Sequence, residues 1–326
     1  MTAAASGPRV LLIASFDDGF HAHSALKRRA LERLGCHVSA FDLLERPGLL
    51  ARLRGTSLHE RLRRALDARP ELVLVLDDGA LSPAMIAPLK REAAAPWLSW
   101  FPGDIRSIAA MRDAAPAYDR CFVAGSDLVA RIGGPGMPPA CYLAHGCDPS
   151  VHRPMRARDQ FRANVVFAGT ATPRRATLLA ELVEFGLAIW GTGWRRTPLR
   201  DYCRGELLPE RDYVRAYAGA SVAVNLHHVA EDEPDDTGVN QRTFELAAIG
   251  VPQVVDWRRD LERCFEVGRD LHAFRTGTEL KAIVKELLHD PPAAEAVGAA
   301  GRRRALTEHT YMHRVRELLR LAGTGR

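Results

Sequence analysis

Residues 237–256 read TGVNQRTFELAAIGVPQVVD and set three chemically useful side chains at the start of one short helix. TG makes a turn, NQRTFELAAIG a helical run that stops at Gly250, and PQVVD a short apolar strand ending on Asp256. Asn240 and Arg242 fall where the first N–H groups of the helix have no partner of their own, and Glu245 follows a turn later. An arginine beside such groups suits a phosphate, because donors, dipole and fixed charge all favour an anion. A carboxylate one turn further on can accept two hydrogen bonds from a vicinal diol such as a ribose. Together these side chains suit a nucleoside diphosphate.

Two other stretches carry residues of the right type. In SFDDGFHAHS, Asp17, Asp18, His21 and His23 cluster within seven residues. They could supply a general base or hold an acceptor hydroxyl; equally, an Asp there could cap the following helix. The Asp/His spacing is not a distinctive metal pattern, and no metal is expected. In VVFAGTATPRRATLL, Gly169 and Thr170 with Arg174 and Arg175 make a plausible phosphate-side loop, although neither a Walker nor a GxGxxG pattern is present. IWGTGW ends a strand in a glycine turn, with Gly193 and Trp194 shaped to hold a flat base.

These residues need strands and helices to bring them together. RVLLIA (9–14) reads as a buried parallel strand, followed by the helical SALKRRALERLG and a second strand, HVSAFDLL. A leucine stripe predicts a helix over 49–69, interrupted at Gly55. ELVLVLDDG, APWLSWFPGD, YDRCFVAG and ACYLAHG continue the strand series, and HGCDPSVHRP (145–154) reads as a linker held by an Asp–Pro turn. The second half restarts with ANVVFAGT and a helix from about Ala176. It continues through LAIWGTGW, SVAVNLHH and PQVVD and ends in a helical tail. Alternating β and α throughout predicts doubly wound parallel sheets.

The composition, 47% hydrophobic and 26% charged over 326 residues, is that of a globular protein with two domains. No apolar run approaches the roughly 20 residues of a membrane span, and six scattered cysteines without a CxxC pair fit a reducing, cytoplasmic setting. A formal charge of +5 permits anionic partners, but no aromatic-interleaved basic patch marks a nucleic-acid binder.

The second half resembles the glycosyltransferases grouped with the spore maturation protein CgeB. The resemblance lies in VVFAGTATPRRATLL, IWGTGW, LPERDYVRAYAGASVAVNLHH, GVNQRTFELAAIGVPQVVD and EHTYMHRVRELL. The first half is similar through HAHSALKRRALERLGCHVSAFDLL, APWLSWFPGD, YDRCFVAG and YLAHGCDPSVHRP. It implies a GT-B fold: two Rossmann-like domains facing across a cleft, with the final helix crossing back to the first. The expected division is 1–150 on the acceptor side, 151–308 for the donor, and 309–326 for that helix. Glu245 corresponds to the carboxylate that binds the donor ribose. Arg242 and the Gly169 loop would lie near the diphosphate, and 191–194 near the base. Many retaining GT-B enzymes carry a second glutamate eight positions earlier; Thr237 stands there, which leaves open whether the anomeric configuration is inverted or retained.

The activity expected is metal-independent transfer of a sugar from a nucleoside diphosphate, UDP above all, to an acceptor hydroxyl. No obligatory cofactor is implied. Arg242 would stabilise the departing diphosphate, while Asp18, His21 or His23, with Asp104 in reserve, would take the acceptor's proton. The rival readings are a nucleotide-sugar or glycan-binding protein without turnover and a nucleotide-sugar epimerase on the same architecture.

Overall fold

The computed structural model describes residues 7–16, 23–45, 57–76, 81–101, 108–206, 208–228 and 237–323. They fall into two compact units, one holding the chain up to 144 together with 311 onward, the other holding 145–310.

The first unit is built on six parallel strands in the order β2-β1-β3-β4-β5-β6. They are β1 (Arg9–Ala14), β2 (His37–Asp42), β3 (Leu72–Leu76), β4 (Trp97–Trp100), β5 (Arg120–Val123) and β6 (Ala140–Tyr142). Strands β3 and β4 are buried along their whole length, as unbroken apolar runs in a sheet covered on both faces require. One face packs against α2 (Leu58–Leu66), α3 (Pro83–Glu92), α4 (Ile108–Ala114) and α5 (Ser126–Ile132). The helix expected over 49–69 is described only as α2, which Ser57 caps by accepting from Glu60 N–H. Helix α1 (His23–Arg33) packs beside the C-terminal α12 (Tyr311–Leu321). The α12 residues Tyr311, Val315, Leu318 and Leu319 are buried.

The second unit repeats the plan with six parallel strands in the order β12-β11-β10-β7-β8-β9. They are β7 (Ala163–Ala168), β8 (Leu187–Trp190), β9 (Cys203–Gly205), β10 (Ala220–Asn225), β11 (Gln253–Asp256) and β12 (His272–Phe274). Apolar clusters lie on both faces of the sheet. The helices are α6 (Pro173–Ala180), α7 (Glu210–Ala218), α8 (Gln241–Ile249), the single-turn α9 (Leu261–Cys264), α10 (Gly277–His289) and α11 (Pro291–Glu308). Helix α6 starts earlier than about Ala176, because Thr172 caps it and Pro173 occupies a position that needs no N–H donor.

Strand order reverses between β1 and β3 in the first sheet and between β7 and β10 in the second. At such a point consecutive connections leave in opposite directions and open a crevice beyond the strand ends, where doubly wound folds bind ligands.

Candidate active site

Beyond the carboxyl ends of β7 and β10, the second unit gathers four connections: those after β7, β8, β10 and β11. The first two are zipped together. Gly169 N–H donates to the Trp190 carbonyl at 2.8 Å, and Ala171 N–H to the Thr192 carbonyl at 2.9 Å. The Thr170 and Thr192 hydroxyls stand 3.3 Å apart. At Gly191, with φ of 142°, any side chain would run into the Gly169 carbonyl.

Trp194 needs a correction. Its indole is fully buried, packs edge-on to Phe167 and donates Nε1–H to the Gly169 carbonyl at 2.7 Å. The ring braces the β7 loop from within and offers no face to a base. Gly193 leads directly into it.

The two adjacent arginines diverge. Arg175 is buried and donates to the carbonyls of Thr170 and Leu226 at 2.9 and 2.8 Å, tying the β7 and β10 loops together. It is thus committed to backbone and does not fit the phosphate role considered for it. Arg174 donates to Asp256 Oδ2 at 2.9 Å while 43% of its side chain stays exposed.

Asp256, the last residue of β11, is the hub of this edge. Its Oδ1 accepts from the His227 N–H at 2.8 Å and lies 2.7 Å from His227 Nδ1; its Oδ2 accepts from Arg174 and, at 3.3 Å, from Arg258. Burial opposes ionisation of Asp256, but His227, Arg258 and Arg174 overcome it and hold the carboxyl far below the ordinary range. His227 Nε2 accepts from the Asn240 N–H at 3.0 Å, so the network places the ring proton on Nδ1. A chain of contacts therefore runs from β11 through the end of β10 to the cap of α8.

Asn240 caps that helix, its Oδ1 accepting from Thr243 N–H at 3.1 Å. It is also paired with Asn225, the last residue of β10, through two reciprocal amide hydrogen bonds of 3.1 and 2.9 Å. The helix ends at Gly250 in the left-handed region, whose N–H returns to the Leu246 and Ala247 carbonyls.

Glu245, one turn inside α8, is buried to 6% exposure. Tyr213 of α7 donates to its Oε2 at 2.7 Å and Gln241 to its Oε1 at 2.6 Å. Burial would raise its pKa, but His152, Tyr213, Gln241 and Arg242 outweigh that, so Glu245 stays an anion. Burial also drives Tyr213 well above the usual phenol value, which keeps it a donor. Arg242 shares this surrounding. Burial works against its charge, yet Tyr217, Tyr213 and Glu245 favour it, and Tyr213 is hydrogen-bonded to it. Arg242 is part-buried at the start of α8, and its guanidinium sits with Glu245 and two tyrosines. Arg174 and Arg258 are the cations held at Asp256.

In the first unit, His23 is the first residue of α1; Asp17, Asp18, His21 and Asp104 lie outside the described residues. Among the described residues no group of three or more His, Cys, Asp or Glu could hold a metal ion, and no helix is long and apolar enough to cross a membrane.

Residues 174–320 match the family described as glycosyl transferase-like. Solved structures resemble the chain over nearly its whole length. HepE (Alr3699) of Anabaena in complex with UDP-glucose aligns with a TM-score of 0.69 at 11% identity, covering 97% of this chain and 100% of that one. Sucrose-phosphate synthase (tll1590) from Thermosynechococcus elongatus aligns with 0.67 at 15% identity, covering 96% and 98%. The lipopolysaccharide outer core galactosyltransferase WaaB, in its apo form, aligns with 0.62 at 9% identity, covering 97% and 99%. No curated protein matches in sequence. The fold is GT-B, and the second half is glycosyl transferase-like.

Sequence reasoning named Asn240, Glu245, Arg174 and the Gly169 loop, and these meet at one edge of one sheet. It assigned no role to Asn225, Asp256, Arg258, Tyr213 or Gln241. For Asn225 and Asp256 a signal existed: each is a polar residue ending an apolar strand in SVAVN and QVVD, where ligand edges begin.

Proposed function

We propose that this chain transfers a sugar from a nucleoside-diphosphate donor, bound by the second unit, to an acceptor hydroxyl, in the manner of CgeB-like glycosyltransferases. The observation that carries this reading is the cross-braced start of α8. Its cap is fixed to β10 by Asn225 and through His227 to Asp256, and Asp256 holds Arg174 and Arg258 beside it.

Negative charge accumulates on the diphosphate as the glycosidic bond breaks. Donors already fixed in place stabilise that charge without reorganising, each such donor being worth roughly 3–4 kcal/mol of barrier. Here the half-exposed Arg174 and Arg258, both held at Asp256, fill that role, so no metal is required. Glu245, held as an anion a turn deeper, takes the ribose hydroxyls. HepE binds UDP and UDP-glucose, which supports UDP as the carrier. The acceptor's proton is taken up by Asp18, His21 or His23.

Incubation with UDP-, GDP-, dTDP- and CMP-sugars in the presence of EDTA tests this. Release of nucleoside diphosphate, faster with acceptor hydroxyls present, is the expected result. Interconversion of free nucleotide sugars would instead make the chain an epimerase, and saturable binding without turnover would make it a binding protein.

A further inference from the structure

The stretch 145–154 reads in sequence as a linker, yet it brings His152 against the carboxylate of Glu245. Asp148 builds the turn that does so. Its Oδ1 accepts from the Ser150 N–H and hydroxyl at 2.9 and 2.7 Å, and its carbonyl accepts from the His152 N–H at 2.8 Å. The Asp148 N–H donates in return to His152 Nδ1 at 3.2 Å. A ring nitrogen that accepts carries no proton, so this network puts the imidazole proton on Nε2. Nε2 lies 3.6 Å from Glu245 Oε1, with both side chains buried.

Three elements thus converge on one carboxylate. Helix α7 supplies Tyr213 to Oε2, α8 supplies Gln241 to Oε1, and the Asp148 turn supplies the His152 N–H dipole beside Oε1. Two short hydrogen bonds give each oxygen a partner, and His152 adds to the support of the buried charge. It also acts geometrically, since a further group beside Oε1 limits rotation of the carboxylate and fixes which lone pairs stay open.

We propose that His152 is a positioning residue for donor recognition: anchored by the Asp148 turn, it orients Glu245 so that both oxygens face the vicinal hydroxyls of the donor ribose. This rests on the reading of Glu245 as the ribose carboxylate. What it adds is that a segment outside α8 sets the selectivity of the site for a ribose diol.

Titration calorimetry with UDP, GDP, ADP and CDP, and with the 2′,3′-dideoxy form of whichever nucleotide binds, tests it on two variants. His152→Asn keeps an acceptor for the Asp148 N–H but cannot reach Glu245; His152→Gln can place an amide N–H near the Nε2 position. The expected result is that His152→Asn weakens the ribonucleotide by about tenfold, the scale of one lost polar constraint. The dideoxy form should change by less than about twofold, and His152→Gln should recover most of the loss. Combined with Glu245→Ala, His152→Asn should cost nothing further, since the carboxylate it orients is gone.

If Glu245→Ala weakens the ribonucleotide while His152→Asn does not, the proposal is wrong and the reading of Glu245 survives. If Glu245→Ala changes nothing, or the native chain binds none of the nucleotides, that reading falls and the proposal with it. Equal losses on ribo and dideoxy forms would show a purely structural histidine. Should His152→Asn fail to fold, His152→Phe, which fills the space but offers no N–H to Glu245, takes its place in the same comparison on the two sugar forms.

Discussion

Arg174 gives one guanidinium nitrogen to Asp256 and keeps much of its side chain in solvent, whereas Arg175 spends its charge on two buried carbonyls. Their alanine variants should therefore fail in different ways. Arg174→Ala leaves Asp256 with Arg258 and His227, so the unfolding free energy should move by less than about 1 kcal/mol. Turnover should fall about a hundredfold or more, as for loss of one preorganised donor. Arg175→Ala strands the Thr170 and Leu226 carbonyls and should cost about 2–5 kcal/mol in denaturant unfolding. Lys27 of α1 makes a second case. Its ammonium lies 4.2 Å over the Trp100 ring, and burial lowers its pKa to about 7. With the folded value below the unfolded one, the unfolded chain binds the extra proton between pH 7 and about 10.5, so stability rises across that window. The burden is complete below pH 7. Lys27→Met should thus stabilise the protein, by at most roughly 5 kcal/mol near neutral pH, with the gain shrinking toward pH 10. Thermal melts of both proteins at pH 6, 8 and 10 would show it, and a pH-independent gain would contradict this account.

At the level of elements, α8 depends on its first turn. Asn240 is at once its cap, the partner of Asn225 and, through its N–H, the partner of His227. Asn240→Ala removes the cap and the amide pair, so about 2–3 kcal/mol of stability should go, the cap alone accounting for roughly 1 kcal/mol. Nucleotide affinity should fall with it, because the donors of the first turn lose their fixed direction. Asn240→Asp keeps the cap and should recover much of the stability but not the affinity, because a carboxylate has no N–H for Asn225 and repels a phosphate. The cap itself was legible in the sequence: N-x-x-T before an apolar run, closed by Gly250, is a local pattern with a local cause. So were the strands, whose apolar runs of four to six residues reflect burial on both faces. The brace behind the cap was not legible. Asn225, His227 and Asp256 are brought together by strand order, which no local pattern encodes. Trp194 failed as a base platform for a related reason: an aromatic after a glycine turn reads the same whether the ring turns toward solvent or into the core. Arg174 and Arg175 were indistinguishable because adjacent helix positions point about 100° apart, and only the packing says which one is inside.

Across the whole molecule, one plan appears twice, with an elaborated edge on the second sheet and a terminal helix that returns to the first unit. Helix α12 belongs with residues before 145 although the 166 residues of 145–310 separate them in sequence. Its buried Tyr311, Val315, Leu318 and Leu319 cover the first unit beside α1, and Tyr311 meets Trp100 edge-on at 6.4 Å. At roughly 1.5–3 kcal/mol for each side chain removed from water, the helix contributes about 6–12 kcal/mol of burial. That is comparable with the whole stability of a domain, about 5–15 kcal/mol. Ending the chain before Tyr311 should therefore unfold the first unit selectively. The second keeps its own two clusters and every contact described around Asp256 and Glu245. Limited proteolysis should then cut within residues 7–144 and leave a resistant fragment beginning near 145, and that fragment should still bind nucleoside diphosphate while transferring no sugar. If both units are digested at the same rate, the second draws its stability from the first, and the donor edge is not the self-contained structure its internal hydrogen bonds describe.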